Sequence, residues 1–192
     1  ADVTRTLIDG RRCAAQHRAA LAKYFPAGFS NAYLASTASL LGVRETRRVE
    51  GDYELTLADH QARRSFPDEI ARNSFFIDIH NSRREVEHRK GGGNPMDLRK
   101  KATRFEPGES HGIPYRCLTP RRLRNVLVAG RCISCDREAF SSIRVMPVCM
   151  CLGEAAGVAA AMASGAAGCD VHSVDTDNLR RRLREHGAYL PE

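Results

Sequence analysis

Asp78 and His80 are the two residues of this sequence whose types and spacing best suit proton transfer. They belong to the run Ser-Phe-Phe-Ile-Asp-Ile-His at 74–80, which predicts a β-strand. Side chains alternate along a strand, so Asp78 and His80 would share one face. Imidazole titrates near neutral pH, and a nearby carboxylate can fix its tautomer. Both are candidate catalytic residues; the alternative is a structural or surface histidine.

Four arginines could bind an acidic substrate: Arg44, Arg47, Arg48 and Arg116. A guanidinium group binds a carboxylate through two parallel hydrogen bonds. Arg44 and Arg116 are the candidate substrate-binding residues. The alternative is that these arginines are solvated or form ion pairs within the protein.

Seven cysteines include the pairs Cys132/Cys135 and Cys149/Cys151. A C-x-C pair is too tight for the second half of a zinc site, so no metal is expected. A redox-active C-x-x-C remains an alternative to structural or incidental thiols. The odd number of cysteines and the lack of a signal-like start at 1–10 favour a reducing, cytoplasmic compartment.

The chain has 192 residues, a formal charge of +7 and 6% aromatic residues with no tryptophan. This charge suits an anionic partner, but the scarcity of aromatic rings disfavours single-stranded nucleic acid. A basic binding module, using the loop at 81–104 and the arginines of 180–184, is the alternative function. The apolar stretch 145–168 carries Glu154 and is mostly alanine and glycine, so a membrane span is not expected.

The elements that must position these residues follow from periodicity and from turn residues. Thr56 and Asp59 predict a capping box at the start of a helix. Helices are predicted at 11–24, 31–41, 57–64, 148–164 and 178–186, and extended segments at 43–53, 74–80, 113–118 and 125–130.

The unit at 126–161 combines a buried strand closed by Gly130, a polar loop and a helix of small residues. In open α/β folds ligands bind at the carboxyl ends of strands, and a helix start offers free N–H groups. The unit therefore suits a cofactor. The alternative is an ordinary strand-loop-helix connection.

The amino-acid sequence of this unit resembles that of a known family. Asn-Val-Leu-Val-Ala-Gly-Arg-Cys-Ile-Ser at 125–134, Ser-Ile-Arg-Val-Met-Pro at 142–147 and Gly-Glu-Ala-Ala-Gly at 153–157 are similar to the C-terminal part of FAD-dependent oxidoreductases with the glutathione-reductase-like fold. Segments at 42–48, 53–56, 78–80 and 113–116 resemble the substrate side of the same family, in the same order.

The resemblance implies FAD as cofactor and a role for each matching position. Gly130 and Arg131 would lie near the ribityl and pyrophosphate groups. Ser134, Ser142 and Arg144 would line the loop that runs toward the isoalloxazine ring. The helix start would face the pyrimidine carbonyl of the flavin with Met146, Pro147, Val148 and Cys149.

One departure from the family is the lack of a G-x-G-x-x-G fingerprint, which Gly91–Gly93 in the basic loop does not replace. We therefore expect an α/β fold made of the C-terminal part of a Rossmann-like FAD/NAD(P)-binding domain (119–192) and a substrate-side or capping region (1–118). The expected function is hydride transfer between an organic substrate and flavin. The missing FAD-binding portion would lie on the same polypeptide or on a partner subunit of a split enzyme.

Overall fold

The computed structural model describes residues 2–45, 47–79, 103–165 and 170–191. His80 and nearly all of the basic loop at 81–104 lie outside these residues. The chain forms two compact units, Ala1–Arg44 and Glu45–Glu192. The functional division at 118/119 stays a prediction.

The first unit contains helices α1 (Asp2–Tyr24) and α2 (Pro26–Phe29). The helix predicted at 11–24 is confirmed and begins nine residues earlier. The helix predicted at 31–41 is wrong, because this segment is irregular. Its serines and threonine compete for backbone hydrogen bonds and so favour non-helical structure. The segment instead lines a cavity of about 350 Å³ beside α1.

The sheet of the second unit pairs β1 (Glu69–Asn73) with β2 (His111–Pro114) in antiparallel fashion. Asn73 lies opposite His111, and a register shift follows Glu69. The predicted extended piece at 113–118 is confirmed only at its start, since a 3₁₀ turn occupies Tyr115–Cys117.

The strand predicted at 74–80 is wrong over its described part, 74–79, because pairing ends at Asn73. The side-chain Oδ1 of Asn73 accepts a hydrogen bond from the backbone N–H of Phe75 at 3.0 Å. Such an Asx-type turn diverts the backbone from the ladder.

The strand predicted at 43–53 is also wrong, and only a bridge from Gly51 to Pro120 forms there. N–H groups of this segment donate to separate parts of the chain: that of Val49 to the carbonyl of Cys132 and that of Asp52 to the carbonyl of Thr119. Among the residues that the structure describes, no single neighbouring strand accompanies the segment, so no ladder develops there.

The buried parallel strand predicted at 125–130 is also wrong. The segment is not a strand, and Val126 is 38% exposed. A strand buried on both faces needs a neighbour on each side. Among the described residues, the sheet of β1 and β2 supplies none.

Four more helices form in the second unit. They are α3 (Leu57–Gln61), α4 (Arg137–Ile143), α5 (Met146–Ser164) and α6 (Thr176–Glu185). The Thr56/Asp59 capping box at α3 is confirmed. Asp175 caps α6, and Gly187 follows it with φ +95°. The start of α4, capped by Asp136, was not predicted.

Helix α5 crosses the core of this unit and buries Val148, Leu152, Ala155, Ala159 and Ala163. It packs against β1, α6 and the 3₁₀ turn Gly130–Cys132. Within the described chain it is the one helix long and apolar enough to cross a membrane, a property that core helices of globular proteins share.

Candidate functional site

The start of α5 carries no side-chain cap. Its N-cap residue is Val145, which accepts no hydrogen bond through its side chain, and a proline lies in the first turn. The N–H groups at a helix start lack intrahelical partners and carry the positive end of the helix dipole. Met146 is 71% exposed, so this end of the 19-residue helix is accessible.

Gly130 brings a turn of the chain against this helix start. Its φ of +72° is in the left-handed region, which favours glycine. A Cβ atom at this position would lie 3.8 Å from the Cβ of Cys149. Two residues predicted from the family resemblance thus lie side by side.

Arg131 and Arg144 extend the same region. The Nε of Arg131 donates to the backbone carbonyl of Arg144 at 3.1 Å. Arg144 is 8% exposed; its Nη1 lies 3.2 Å from a carboxylate oxygen of Glu45 and its Nη2 donates to the carbonyl of Asp78 at 2.9 Å. The structure therefore links Gly130, Arg131 and Arg144 to the segment that carries Asp78.

Asp78 is held along α4 by its backbone. Its N–H donates to the hydroxyl of Ser141 at 3.1 Å, and its carbonyl accepts from Arg144. The N–H of Ile77 donates to Thr103 at 3.3 Å. The predicted partner His80 lies outside the described residues, so the pairing of the two stays a prediction.

Ser142 is fully buried at the centre of a polar network. Its hydroxyl donates to the carbonyl of Phe75 and accepts from the Nδ2 of Asn73 at 2.7 Å. The same Nδ2 lies 3.0 Å from the Nε2 of His111, and the Nε2 of His60 lies 3.1 Å from the Phe75 carbonyl. Sequence analysis missed Asn73, His60 and His111. These are polar residues in buried segments, and they can be recognised as such only once the burial of the segments is known.

Both histidines of this network are fully buried, and their rings lie 5.1 Å apart. Burial, and next the neighbouring His60, lower the pKa of His111 to about 4. Burial also lowers the pKa of His60 below its ordinary value. Both rings are therefore neutral at physiological pH.

Ser134 lies in the core next to Gly51, and its contacts are not with the residues at the start of α5. It is 3% exposed, and its backbone pairs with Cys117 and Leu55. A Cβ atom on Gly51 would lie 2.8 Å from the Cβ of Ser134.

The two candidate substrate arginines lie in different units. Arg116 forms a two-point ion pair with Asp68, with N–O distances of 2.9 and 3.1 Å, and lies over the ring of Tyr53. Arg44 ends the first unit and is exposed. Their role in substrate binding stays a prediction.

The described cysteines are free thiols. Burial raises the pKa of Cys117, and raises that of Cys135 to about 12. Burial also raises the pKa of Cys149. These thiols are protonated at neutral pH and are poor nucleophiles. Within the described ranges, no three histidine, cysteine or acidic side chains group as metal ligands.

The arginines of α6 make contacts within the protein. Arg180 and Arg184 both donate to the backbone carbonyl of Pro191, and Arg181 pairs with Glu185 at 2.9 Å. These contacts stabilise the C-terminal end of the described chain. They do not favour the alternative of a nucleic-acid surface on this helix.

Comparison with protein families assigns the chain to the class of FAD-linked redox proteins. The family model described as FAD dependent oxidoreductase matches residues 1–183, and the chain belongs to this family. Its cofactor is FAD, and its mixed helices and small sheet are consistent with an α/β FAD-binding family. No curated protein and no solved structure gives a significant match to the chain.

The residues at the start of α5 fit this cofactor. An uncapped helix start binds phosphate oxygens or a polarised carbonyl through its N–H groups. The guanidinium of Arg131 adds positive charge beside it, and Gly130 allows close approach of the backbone. A reduced flavin carries negative charge, which such a set of donors stabilises.

Proposed function

We propose that this chain is the C-terminal, flavin-side portion of an oxidoreductase that transfers a hydride between an organic substrate and FAD. The observation that carries the proposal is the convergence of Gly130, Arg131 and Arg144 on the uncapped start of α5. Membership of the FAD dependent oxidoreductases supports the redox chemistry.

The chain's own residues would bind and orient the cofactor. FAD, when bound, supplies the centre that accepts or gives the hydride. The helix start at 146–149 would hold the pyrimidine edge through the backbone N–H groups of Met146 and Val148, because Pro147 has no N–H and that of Cys149 already donates to the carbonyl of Val145. Arg131 would add positive charge for the ribityl and phosphate portion.

A further FAD-binding portion would complete the site. The sequence lacks the G-x-G-x-x-G fingerprint, and the apolar run at 125–129 is only half covered. Val126 at 38% exposure and Leu123 at 49% are apolar surfaces that sheet neighbours would bury. This portion would be supplied by the same polypeptide or by a partner subunit.

Substrate-side chemistry would use the predicted residues of the other region. When a substrate loses a hydride from carbon, a proton leaves its neighbouring oxygen or nitrogen, and Asp78 or His80 would accept it. Arg116 could bind an acidic substrate group only by exchanging its pair with Asp68. The free thiols support a reducing, cytoplasmic compartment.

The test is the visible spectrum of the endogenous protein that contains this chain. The purified protein should be yellow, and its flavin bands should bleach when a substrate is added without oxygen. Arg131→Gln should weaken flavin retention about tenfold or more, the value of a lost charge-assisted hydrogen bond. The matched control Arg122→Gln changes an exposed arginine outside the site and should retain flavin.

A protein that purifies without flavin and does not quench the fluorescence of added FAD would overturn the proposal. The mass of the species that retains flavin distinguishes a single polypeptide from a split enzyme. Retention on nucleic acid that weakens with salt, in a protein without flavin, would favour the alternative of a basic binding module.

A further inference from the structure

Asn73 joins three elements of the second unit through one buried side-chain amide. It is 4% exposed and ends β1. Its Nδ2 reaches His111 on β2 at 3.0 Å and Ser142 on α4 at 2.7 Å, while its Oδ1 accepts from the N–H of Phe75 at 3.0 Å. The amide thus uses both hydrogens and an acceptor site.

The network has a single consistent arrangement of protons. The Nδ1 of His111 lies 3.0 Å from the carbonyl of Gly112, so this nitrogen carries the proton and Nε2 accepts from Asn73. The Phe75 carbonyl can only accept, so both Ser142 and the Nε2 of His60 donate to it. This arrangement is assigned from the partners, and a reversed amide would break it.

The histidine pair is covered by an aromatic ring and a guanidinium. The ring of Phe105 lies 4.7 Å from the ring of His60. The guanidinium of Arg63 lies 4.0 Å from the centre of the Phe105 ring. Arg63 has φ +53°, an unusual value for a residue with a side chain. The Nδ1 of His60 is buried without a hydrogen-bond partner. Protonation there would leave an unpaired charge in the core, so the ring is held neutral.

The network ends at the segment that leads to the flavin site. It fixes both the N–H and the carbonyl of Phe75, and three residues later Asp78 contacts Ser141 and Arg144. The backbone carbonyl of Arg144 in turn accepts a hydrogen bond from Arg131, which lies in the turn beside α5. Hydrogen bonds, joined by the backbone of 75–78, thus connect Asn73 to the predicted cofactor residues.

We propose that Asn73 is a positioning residue, which holds segment 75–78 against α4 and so places Asp78 beside the cofactor-binding residues. The part concerning the cofactor rests on the proposed function. The placement of the segment itself does not, because it concerns contacts of the chain without ligand.

The test exchanges the amide for a carboxylate, Asn73→Asp. A carboxylate oxygen then faces the lone pair on the Nε2 of His111, so this ring must gain a proton or move away. Long-range ¹H–¹⁵N spectra should show His111 as a neutral Nδ1–H ring in the native chain and as doubly protonated in the variant at neutral pH. The variant loses both hydrogen bonds that the amide of Asn73 donates but keeps an acceptor for the N–H of Phe75. The backbone N–H groups of Ile77 and Asp78 should therefore exchange at least about tenfold faster in the variant, as expected when a buried hydrogen bond is lost.

Asn178→Asp is the matched control, because it makes the same chemical change in the first turn of α6, away from the network. It should leave the spectra of His111 and the exchange of segment 75–78 unchanged. Unchanged exchange of that segment in Asn73→Asp, with α6 still protected, would overturn the proposal. If Asn73→Asp unfolds, Ser142→Ala decides instead: it removes the hydroxyl that joins Asn73 and the Phe75 carbonyl to α4, and unaltered exchange at Ile77 and Asp78 would overturn the proposal.

A final measurement separates the two proposals. Asn73→Asp should change the visible circular dichroism of flavin bound to the endogenous protein, whereas Asn178→Asp should not. If the native protein binds no flavin, the proposed function fails while the exchange data still decide the placement of segment 75–78. If flavin binds and its spectrum is the same in Asn73→Asp, the positioning role toward the cofactor is overturned.

Discussion

Gly130 and Cys149 lie in contact distance across the start of α5, since a Cβ atom on Gly130 would be 3.8 Å from the Cβ of Cys149. That distance is an ordinary van der Waals contact, so space alone does not require glycine here. The requirement comes from the backbone, whose φ of +72° places the turn against the helix. The geometry of this predicted cofactor site therefore depends on a local conformation that other residues adopt at a cost.

Gly130→Ala should lower the free energy of unfolding by about 1–2 kcal/mol, the cost of a left-handed conformation with a side chain. Urea unfolding of the native chain and the variant measures this. Gly157→Ala is the control: Gly157 is in the interior of α5 with nothing within 4 Å of a new Cβ, so this variant should gain about 0.5–1 kcal/mol. Equal stability of the two variants would contradict the prediction.

Gly51→Ala should destabilise the protein for a different reason, a clash with its surroundings. Its Cβ would lie 2.8 Å from the Cβ of Ser134 and 2.9 Å from the carbonyl oxygen of Arg116. Both are parts of the core with little freedom to move, so about 1–3 kcal/mol of stability should be lost. Thermal unfolding measures the effect. Gly153→Ala, at an open position of α5, serves as the control, and a loss of the same size there would contradict the prediction.

The sequence predicts best those elements whose signals are local. The capping box at Thr56 and Asp59 and most of the length of α5 are visible in short windows of residues. For the same reason the predicted motif residues Gly130, Arg131 and Arg144 prove to be neighbours: they flank one loop and one helix start.

Prediction from the sequence fails where a strand needs partners that are distant along the chain. The run at 125–130 has the composition of a buried strand, but the described chain provides no neighbouring strand for it. The run at 74–80 alternates like a strand, but the side chain of Asn73 diverts the backbone at Phe75. The polar network around Asn73 escaped prediction because its members come from four separate segments and share no spacing.

His172 and Asp52 form an ion pair whose strength should depend on pH. The Nδ1 of His172 lies 2.6 Å from a carboxylate oxygen of Asp52, and its Nε2 lies 3.0 Å from the carbonyl of Leu123. Burial favours the neutral ring, but this is outweighed by the Leu123 carbonyl and then by Asp52, so the pKa of His172 is raised. Both ring nitrogens thus face acceptors, which suits the protonated form.

His172→Gln should therefore cost stability in acid and little in base. Below the ordinary histidine pKa of about 6.5 the pair contributes fully, and the contribution disappears as the pH rises through the raised pKa of the folded state. Because the pair is partly solvated, the cost should be about 0.5–1 kcal/mol near pH 5.5 and smaller near pH 9. Urea unfolding at both pH values tests this, and a difference that grows with pH would contradict it.

The contribution of His111 to stability should depend on pH in the opposite direction to that of His172. Burial and then His60, with Arg72 also contributing, hold the pKa of His111 at about 4, while the unfolded chain takes up a proton near 6.5. Stability from the neutral ring is therefore complete above about pH 6.5 and falls as the pH drops toward 4, by up to about 3 kcal/mol. Asp59 lies near and opposes the shift only weakly.

The measurement compares urea unfolding of the native chain with that of His111→Gln between about pH 7 and pH 4.5. The variant starts less stable because Asn73 loses its ring partner, but its stability should fall less steeply with acid, since glutamine does not titrate. Carboxyl groups contribute to both proteins, so the difference in slope reports the titration of His111 together with its coupling to His60. Parallel pH curves would show that His111 is protonated as readily in the folded as in the unfolded state, which a ring fully enclosed between Asn73, His60 and Phe105 does not allow.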